Sequence, residues 1–287
     1  MISEPKTTYG IIGYPLNHTF SPVMHNAAFK EFGVDAVYKP IPLKEEGLDD
    51  FFEELKSGTC PIFGLNVTVP YKEKVIDYLD ALNSLAERIG AVNTIVIDPD
   101  RKLIGYNTDA PGFIAHLKEL KMETKGQRIA ILGAGGSCRA ILATLCMIPD
   151  RPEIIRIYNR TPQRTQELVK DLGERFDLSI VEAVDHVEEL DVEHSDILIN
   201  TTSVGLKKTD PSLVPGDLLH PDLFVYDLIY NPKETRLLKE AREAGARSAN
   251  GRGMLFYQGV LSLQHWAARD ISDTVKKKMR DALENAK

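Results

Sequence analysis

The 287-residue sequence predicts an α/β protein of two domains, and three observations carry that reading. Short apolar runs alternate with helix-length amphipathic segments along most of the chain, the pattern of strands joined by helical crossovers. In mid-chain a glycine-rich turn, Gly133-Ala-Gly-Gly-Ser137, separates an apolar run from an apolar helix. From Gly253 the pattern turns helical to the end and carries Leu255, Phe256, Val260, Leu263 and Trp266, too apolar a set to stand in solvent. This tail is expected to return to the N-terminal domain, leaving a cleft between the domains. The expected division is 1–110 with 252–287 for an N-terminal α/β substrate domain, and 111–251 for a Rossmann-like nucleotide-binding domain.

In chain order, strands are expected at Tyr9–Gly13, Ala36–Pro40, Gly64–Val69, Asn93–Ile97 and Leu103–Tyr106. Helices are expected at Pro22–Phe32, Leu48–Lys56, Tyr71–Leu79 and Ser84–Ile89. Pro22 suits a first helical turn, and Gly33 suits the helix exit. A longer connecting helix over Gly112–Leu120 and the Lys125-Gly126 punctuation lead into the second domain. There the strands are Arg128–Leu132, Ile154–Tyr158, Leu178–Val181, Ile197–Thr201, Phe224–Leu228 and Arg247–Ala249. Helices follow at Pro162–Leu172 and Lys233–Ala244.

The mid-chain turn is the first strand–turn–helix of a dinucleotide-binding unit. Gly133 permits the tight turn, and Gly135 lets the backbone approach a pyrophosphate. The amides of Ala134, Gly136 and Ser137 open a helix whose N-terminus attracts anions. The second strand ends in Asn159-Arg160-Thr161, with Arg164 one helical turn on, where NAD-binding units carry an acid for the ribose hydroxyl. Two guanidiniums there clamp a 2′-phosphate instead. The cofactor reading is therefore NADP.

Composition narrows the rest. The apolar fraction of 43%, the charged fraction of 27% and the net charge of −7 belong to a globular chain without a basic face, which argues against nucleic acid. Cys60, Cys138 and Cys146 are odd in number and lack CxxC spacing, so neither a disulfide framework nor a zinc site is expected. His18 and His25 lie seven residues apart with no acidic or cysteine cluster nearby, so no metal is expected and both are read as structural or hydrogen-bonding residues. No hydrophobic signal core or membrane-length apolar run occurs, so a cytoplasmic protein is expected. Its partner is a small molecule, and a monomer or homodimer fits equally.

Chemistry concentrates in four polar segments: Gly13-Tyr-Pro-Leu-Asn-His-Thr-Phe-Ser-Pro-Val-Met-His-Asn26, Asn66-Val-Thr-Val-Pro-Tyr-Lys72, Ala91-Val-Asn-Thr94 and Gly105-Tyr-Asn-Thr-Asp109. Hydroxyls and amides dominate, with one lysine and one aspartate, a set suited to a small polyhydroxylated acid. Read alone, Lys72 is a helix-start cation, Asp109 an N-cap for a helix from Ala110, and Thr19 and Ser21 turn and capping residues before Pro22. These segments, with the glycine turn, Asn159-Arg160-Thr161 and Gly251-Arg-Gly-Met-Leu-Phe-Tyr-Gln258, resemble the signature of the shikimate dehydrogenases in the same order from Tyr9 to Ala268.

That resemblance implies reversible NADPH-dependent reduction of 3-dehydroshikimate to shikimate, on the route to chorismate and the aromatic amino acids. It implies that Lys72 is the catalytic lysine and Asp109 its partner. It assigns Thr19 and Ser21 to the substrate carboxylate, Thr68, Asn93 and Gln258 to the ring hydroxyls and reacting carbon, Tyr230 to the substrate side of the cleft, and Gly251 to the cofactor. Physically, hydride arriving at a ketone carbon leaves negative charge on oxygen, and a lysine oriented by a carboxylate supplies both cation and proton. Three residues depart from the family pattern: Thr19 replaces the more usual serine, Ala110 a common glycine, and Cys138 a typical alanine. None removes a functional group, but Thr19 narrows the carboxylate turn and leaves a quinate or dual quinate/shikimate dehydrogenase as an alternative. A non-catalytic ligand-sensing module on the same fold is the alternative from another class.

Overall fold

The computed structural model describes residues 7–16 and 19–286. The chain divides into two compact units, the first running to Gly112 and resuming at Leu255, the second spanning Phe113–Met254.

The first unit begins β1 (Thr7–Gly13), α1 (Ser21–Phe32), β2 (Ala36–Pro42), α2 (Leu48–Ser57), β3 (Ile62–Val67). It continues β4 (Ala81–Leu82), α3 (Ser84–Ile89), β5 (Thr94–Ile97), β6 (Leu103–Tyr106) and α4 (Asp109–Glu119), the last crossing into the second unit. Local chemistry sets these boundaries. Pro22 lies in the first turn of α1, and Gly33, at φ 66°, closes it by donating to Lys30 O. Asn83 caps α3 by accepting from Leu85 N–H. The sheet order is β2-β1-β3-β5-β6-β4. β1 runs parallel to β2 and β3, but β5 is antiparallel to both neighbours. Leu65, Val67 and Ile95 bury one face of this sheet against Leu48, Phe52 and Leu55 of α2.

The second unit contains β7 (Arg128–Leu132), α5 (Gly136–Met147), β8 (Ile154–Tyr158), α6 (Pro162–Gly173), β9 (Val181–Val184) and β10 (Ile197–Asn200). It ends β11 (Phe224–Asp227), α7 (Arg236–Glu243) and β12 (Arg247–Asn250). All six strands are parallel, ordered β12-β11-β10-β7-β8-β9. This is the doubly wound dinucleotide-binding order, with its switch point between β7 and β10. Leu198, Val225, Leu237 and Leu238 centre one core layer. Helix α8 (Arg252–Ala267) carries the chain back to the first unit, where α9 (Asp273–Glu284) packs along α1.

Four expected elements differ. The helix over Tyr71–Leu79 is a short 3₁₀ turn, Lys74–Tyr78, because Asp80 N–H must already pair with Leu103 O to start β4. The strand at Leu178–Val181 starts at Val181, since Asp177 accepts from Ser179 N–H and bonds Arg151, folding 177–180 into a turn. α7 starts at Arg236, with Thr235 as its cap. The connecting helix starts at Asp109, not Gly112, because Asn107 Oδ1 accepts from Ala110 N–H. Asp109 therefore does not serve as the N-cap for a helix from Ala110.

Candidate active site

Parallel pairing of β1 with β3, and reversal of β5 between β3 and β6, bring four chain segments to one sheet edge. The segments after β1, β3 and β6 arrive by their carboxyl ends, while Asn93 arrives as the residue before β5. After β3 the chain turns sharply, with Tyr71 N–H donating to Thr68 O (3.0 Å) and the buried Tyr71 hydroxyl donating to Leu43 O (2.7 Å). That turn carries Lys72 inward, and Val92 N–H holds its backbone by donating to Lys72 O (2.7 Å).

Lys72 Nζ donates to Asp109 Oδ2 at 2.6 Å, with side chains 10% and 7% exposed. Asp109 Oδ1 accepts from Asn93 Nδ2 (2.9 Å), and Asn93 Oδ1 accepts from Thr108 N–H (2.7 Å). Asn93 Nδ2 also faces Thr108 Oγ1 at 2.9 Å and Gln258 Oε1 at 3.4 Å. Its two hydrogens are thus committed, so a substrate contact by Asn93 requires one of these bonds to open. Behind the pair, Asn66 Nδ2 donates to Asn93 O, Thr94 Oγ1 and Ser262 Oγ, and Tyr38 donates to Asn66 Oδ1 (2.7 Å). Such a satisfied network holds the charged pair in one geometry inside a low-dielectric interior.

The other sequence-predicted substrate residues distribute unevenly. Thr68 is half-buried on the Lys72 turn, and Gln258 is buried on α8, its amide donating to Leu255 O (2.7 Å). Thr19 Oγ1 accepts from Ser21 N–H (3.3 Å), so Thr19 makes the turn, and the Ser21 hydroxyl does not cap α1. Tyr230 belongs to the second unit, after β11. His25 is not a hydrogen-bonding residue. It stacks on Tyr38 (centroids 4.5 Å) beside Trp266, and neither ring nitrogen has a partner among the described residues. His18 lies outside the described residues.

The nucleotide turn occupies the switch point of the second unit. Gly133 has φ 108°, and a Cβ there would meet Thr201 Oγ1 at 2.4 Å, so only glycine fits. Gly135 is exposed and a Cβ there would meet nothing within 4 Å, so an anion can approach the N-terminus of α5. Ala134, Gly136 and Ser137 complete the turn. After β8, Asn159 Nδ2 donates to Thr161 O (2.9 Å), which shapes the start of α6. Arg160 and Arg164 are exposed there, and neither side chain has an ion-pair or hydrogen-bond partner among the described residues. A glycine turn at a helix N-terminus and two uncommitted guanidiniums after the second strand fit an NADP cofactor. Packing also requires glycine at 251, since a Cβ would fall 1.9 Å from Leu228 O.

Two models of known families match the chain. Residues 11–95 match the model for the shikimate dehydrogenase substrate binding domain. Residues 103–222 match that of the ornithine cyclodeaminase/mu-crystallin family. A shikimate dehydrogenase (NADP(+)) of Carboxydothermus hydrogenoformans is 44% identical over 276 residues, 95% of each chain. The chain belongs to the shikimate dehydrogenase family. A crystal structure of the Thermus thermophilus shikimate 5-dehydrogenase in complex with NADP(H) and shikimate is 32% identical, covers 97% of this chain and 98% of that one, and superposes with a TM-score of 0.82. A 5-ketofructose reductase of Gluconobacter is also 32% identical over 98% of both chains, with a TM-score of 0.78.

Sequence reasoning quoted Asn66, Thr94 and Thr108 within the polar segments but gave them no role behind the family's pair, and it missed Ser262. A usable signal existed: Asn66 and Thr94 are polar at positions whose strand neighbours, Leu65, Val67 and Ile95, are all apolar and buried. Among the described residues no group of three or more His, Cys, Asp or Glu could hold a metal ion, and no helix is long and apolar enough to cross a membrane. All three cysteines are free.

Proposed function

We propose that the protein reduces 3-dehydroshikimate to shikimate reversibly with NADPH, Lys72 moving the proton and Asp109 orienting it. The observation that carries the reading is the buried Lys72–Asp109 pair at 2.6 Å, fixed by Asn93 at the sheet edge of a shikimate dehydrogenase family chain. NADPH, when bound, supplies the hydride to the ring ketone carbon. Lys72 Nζ donates its proton to the oxygen on which charge develops, and in the reverse direction receives it from the ring hydroxyl. Asp109 holds the ammonium in place through Oδ2 while Asn93 holds Oδ1. The Thr19 and Ser21 hydroxyls take the substrate carboxylate, and Thr68, Gln258 and Asn93 the ring hydroxyls, with Tyr230 lining the substrate. The amides around Gly135 take the pyrophosphate, and Arg160 and Arg164 take the 2′-phosphate. The substrate is a small molecule, and the working form is a monomer or homodimer.

A second reading concerns the substrate. Full-length similarity to a 5-ketofructose reductase means that this scaffold is compatible with another polyhydroxylated ketone, and Thr19 alters the carboxylate turn. The deciding experiment follows nicotinamide absorbance with shikimate or quinate against NADP and NAD, and NADPH oxidation with 5-ketofructose. Turnover confined mainly to shikimate with NADP supports the proposal. Dominant quinate or 5-ketofructose turnover would replace the substrate and keep the pair. Saturable ligand binding with no turnover would make the protein a ligand sensor and overturn the enzymatic reading.

A further inference from the structure

A second buried carboxylate, unused by the reaction above, closes the carboxyl end of β11. Asp227 is fully buried, and each of its polar contacts is with a donor. Asn200 Nδ2 donates to Oδ1 at 2.9 Å, Ile229 N–H donates to the same oxygen at 3.0 Å, and the Thr235 hydroxyl donates to Oδ2 at 2.6 Å. Oδ1 faces two fixed N–H donors, and Oδ2 meets a hydroxyl that donates to the carboxylate and can turn to accept from the protonated acid. Burial opposes the carboxylate's charge and pushes the Asp227 pKa up to about 6.

The three donors belong to three segments. Asn200 ends β10, and its Oδ1 accepts from both the N–H (2.9 Å) and the hydroxyl (2.7 Å) of Thr202. Because Nδ2 is held by Asp227, the amide cannot flip, and the loop after β10 is fixed in turn. That loop lies directly beneath the nucleotide turn. Thr201 donates twice to Leu132 O (2.8 and 2.7 Å), and Thr201 and Thr202 fill the space where a Gly133 side chain would stand. Ile229 adjoins Tyr230. Thr235 accepts from Leu238 N–H at the start of α7, so Asp227 also sets the direction of that hydroxyl.

We propose that Asp227 is a positioning residue for the nucleotide, its carboxylate fixing the loop of Thr201–Thr202 under the Gly133 turn and the Ile229–Tyr230 segment at the next strand end. The inference rests on the NADP reading of that turn. It acts through backbone and threonine neighbours, and Asp227 itself touches no ligand.

The test is Asp227→Asn, which keeps the shape and removes the charge, alongside Thr235→Val and Thr235→Ser. NADPH affinity is read by nucleotide fluorescence, and KM for shikimate at saturating NADP, well below each variant's melting temperature. Loss of one or two charge-assisted hydrogen bonds is expected to weaken NADPH binding by about 10- to 100-fold in Asp227→Asn. Thr235→Val is expected to weaken it by ~5-fold, one neutral hydrogen bond, while Thr235→Ser binds as wild type. KM for shikimate should move less than NADPH affinity, because of the segments held by Asp227 only Ile229–Tyr230 is read as reaching the substrate. A purely structural role would lower the melting temperature and leave NADPH affinity unchanged in Asp227→Asn and Thr235→Val, and that result overturns the inference alone. Should Asp227→Asn not fold, the Val and Ser pair decides. Wild-type protein that binds no NADPH overturns the cofactor reading and this inference together.

Discussion

Lys72 and Asp109 meet at 2.6 Å with about nine-tenths of each side chain buried, whereas Arg160 and Arg164 stand exposed with no carboxylate beside them. Both regions handle charge, and they do so in opposite ways. In the first unit the lysine and aspartate match each other inside the protein, with Asn93 on the aspartate and Asn66 and Ser262 behind it. Desolvation opposes such a pair, and good geometry with additional hydrogen bonds offsets it. On the proposed reading, the benefit is a proton donor already aimed before substrate arrives. In the second unit the matching anion is to come from the ligand. The arginines keep their hydration until then, and salt screens them. Chemistry is thus rigid where the reaction tolerates little error, while cofactor choice rests on side chains that are easily exchanged.

The largest expected effect breaks the buried side. Lys72→Ala should lower kcat by ~10²–10⁴, as for a lost general acid. NADPH affinity should hardly change, since the nucleotide turn lies in the other unit. Full turnover in a folded variant would remove Lys72 from the mechanism.

On the exposed side the effect should be smaller and confined to one ligand. Arg160→Ala or Arg164→Ala is expected to raise KM for NADP by about 10- to 100-fold, the worth of a hydrogen bond to a charged group. KM for NAD and kcat at saturation should stay near wild type. Equal losses with NADP and NAD would show that the arginines shape the turn instead of reading the phosphate.

His25 sharpens the comparison from a third direction, because it is as buried as Lys72 but has no partner. Burial lowers its pKa to about 3 from an ordinary 6.5. The unfolded chain therefore takes up a proton below about pH 6.5 that the folded chain refuses until about pH 3. Stability should fall with pH across that window by ~1.4 kcal/mol per pH unit from this group alone. His25→Phe keeps the stack on Tyr38 and removes the term. Denaturant melts of both proteins at pH 7, 6 and 5 should show the variant gaining on wild type as pH drops. A constant difference would mean that His25 protonates in the folded state.

The nucleotide unit was the more legible half. A glycine with φ 108°, a β-branched strand before it and arginines after the next strand leave marks in sequence because each needs a particular residue type. Lys72 and Asp109 were legible only through resemblance to a family, since a lysine after Pro-Tyr and an aspartate after Asn-Thr have ordinary explanations. The structure removes one of them, because Asn107 and not Asp109 caps α4. The roles of Asn66, Thr94, Thr108 and Ser262 stayed hidden, since these are small polar residues whose partners lie far along the chain, up to the 196 residues between Asn66 and Ser262. Asp227 drew no reading from the sequence, because burial at a strand end has no sequence mark. The reversal of β5 had one: Asp98-Pro99-Asp100-Arg101 between two short strands is a hairpin signal.

That hairpin has a consequence for how the gene can vary. Asp98 and Lys102 close it with paired bonds, Arg101 adopts φ 65°, and its guanidinium donates to Leu55 O, Cys60 O and Ile62 O. Surface turns ordinarily tolerate inserted or deleted residues. Here a single added residue would slide β5 along β6, swapping the faces of Asn93 and Thr94 and withdrawing the amide from Asp109 at the far end of the strand. Length polymorphism should therefore be purged from this turn, remote from the reaction as it is.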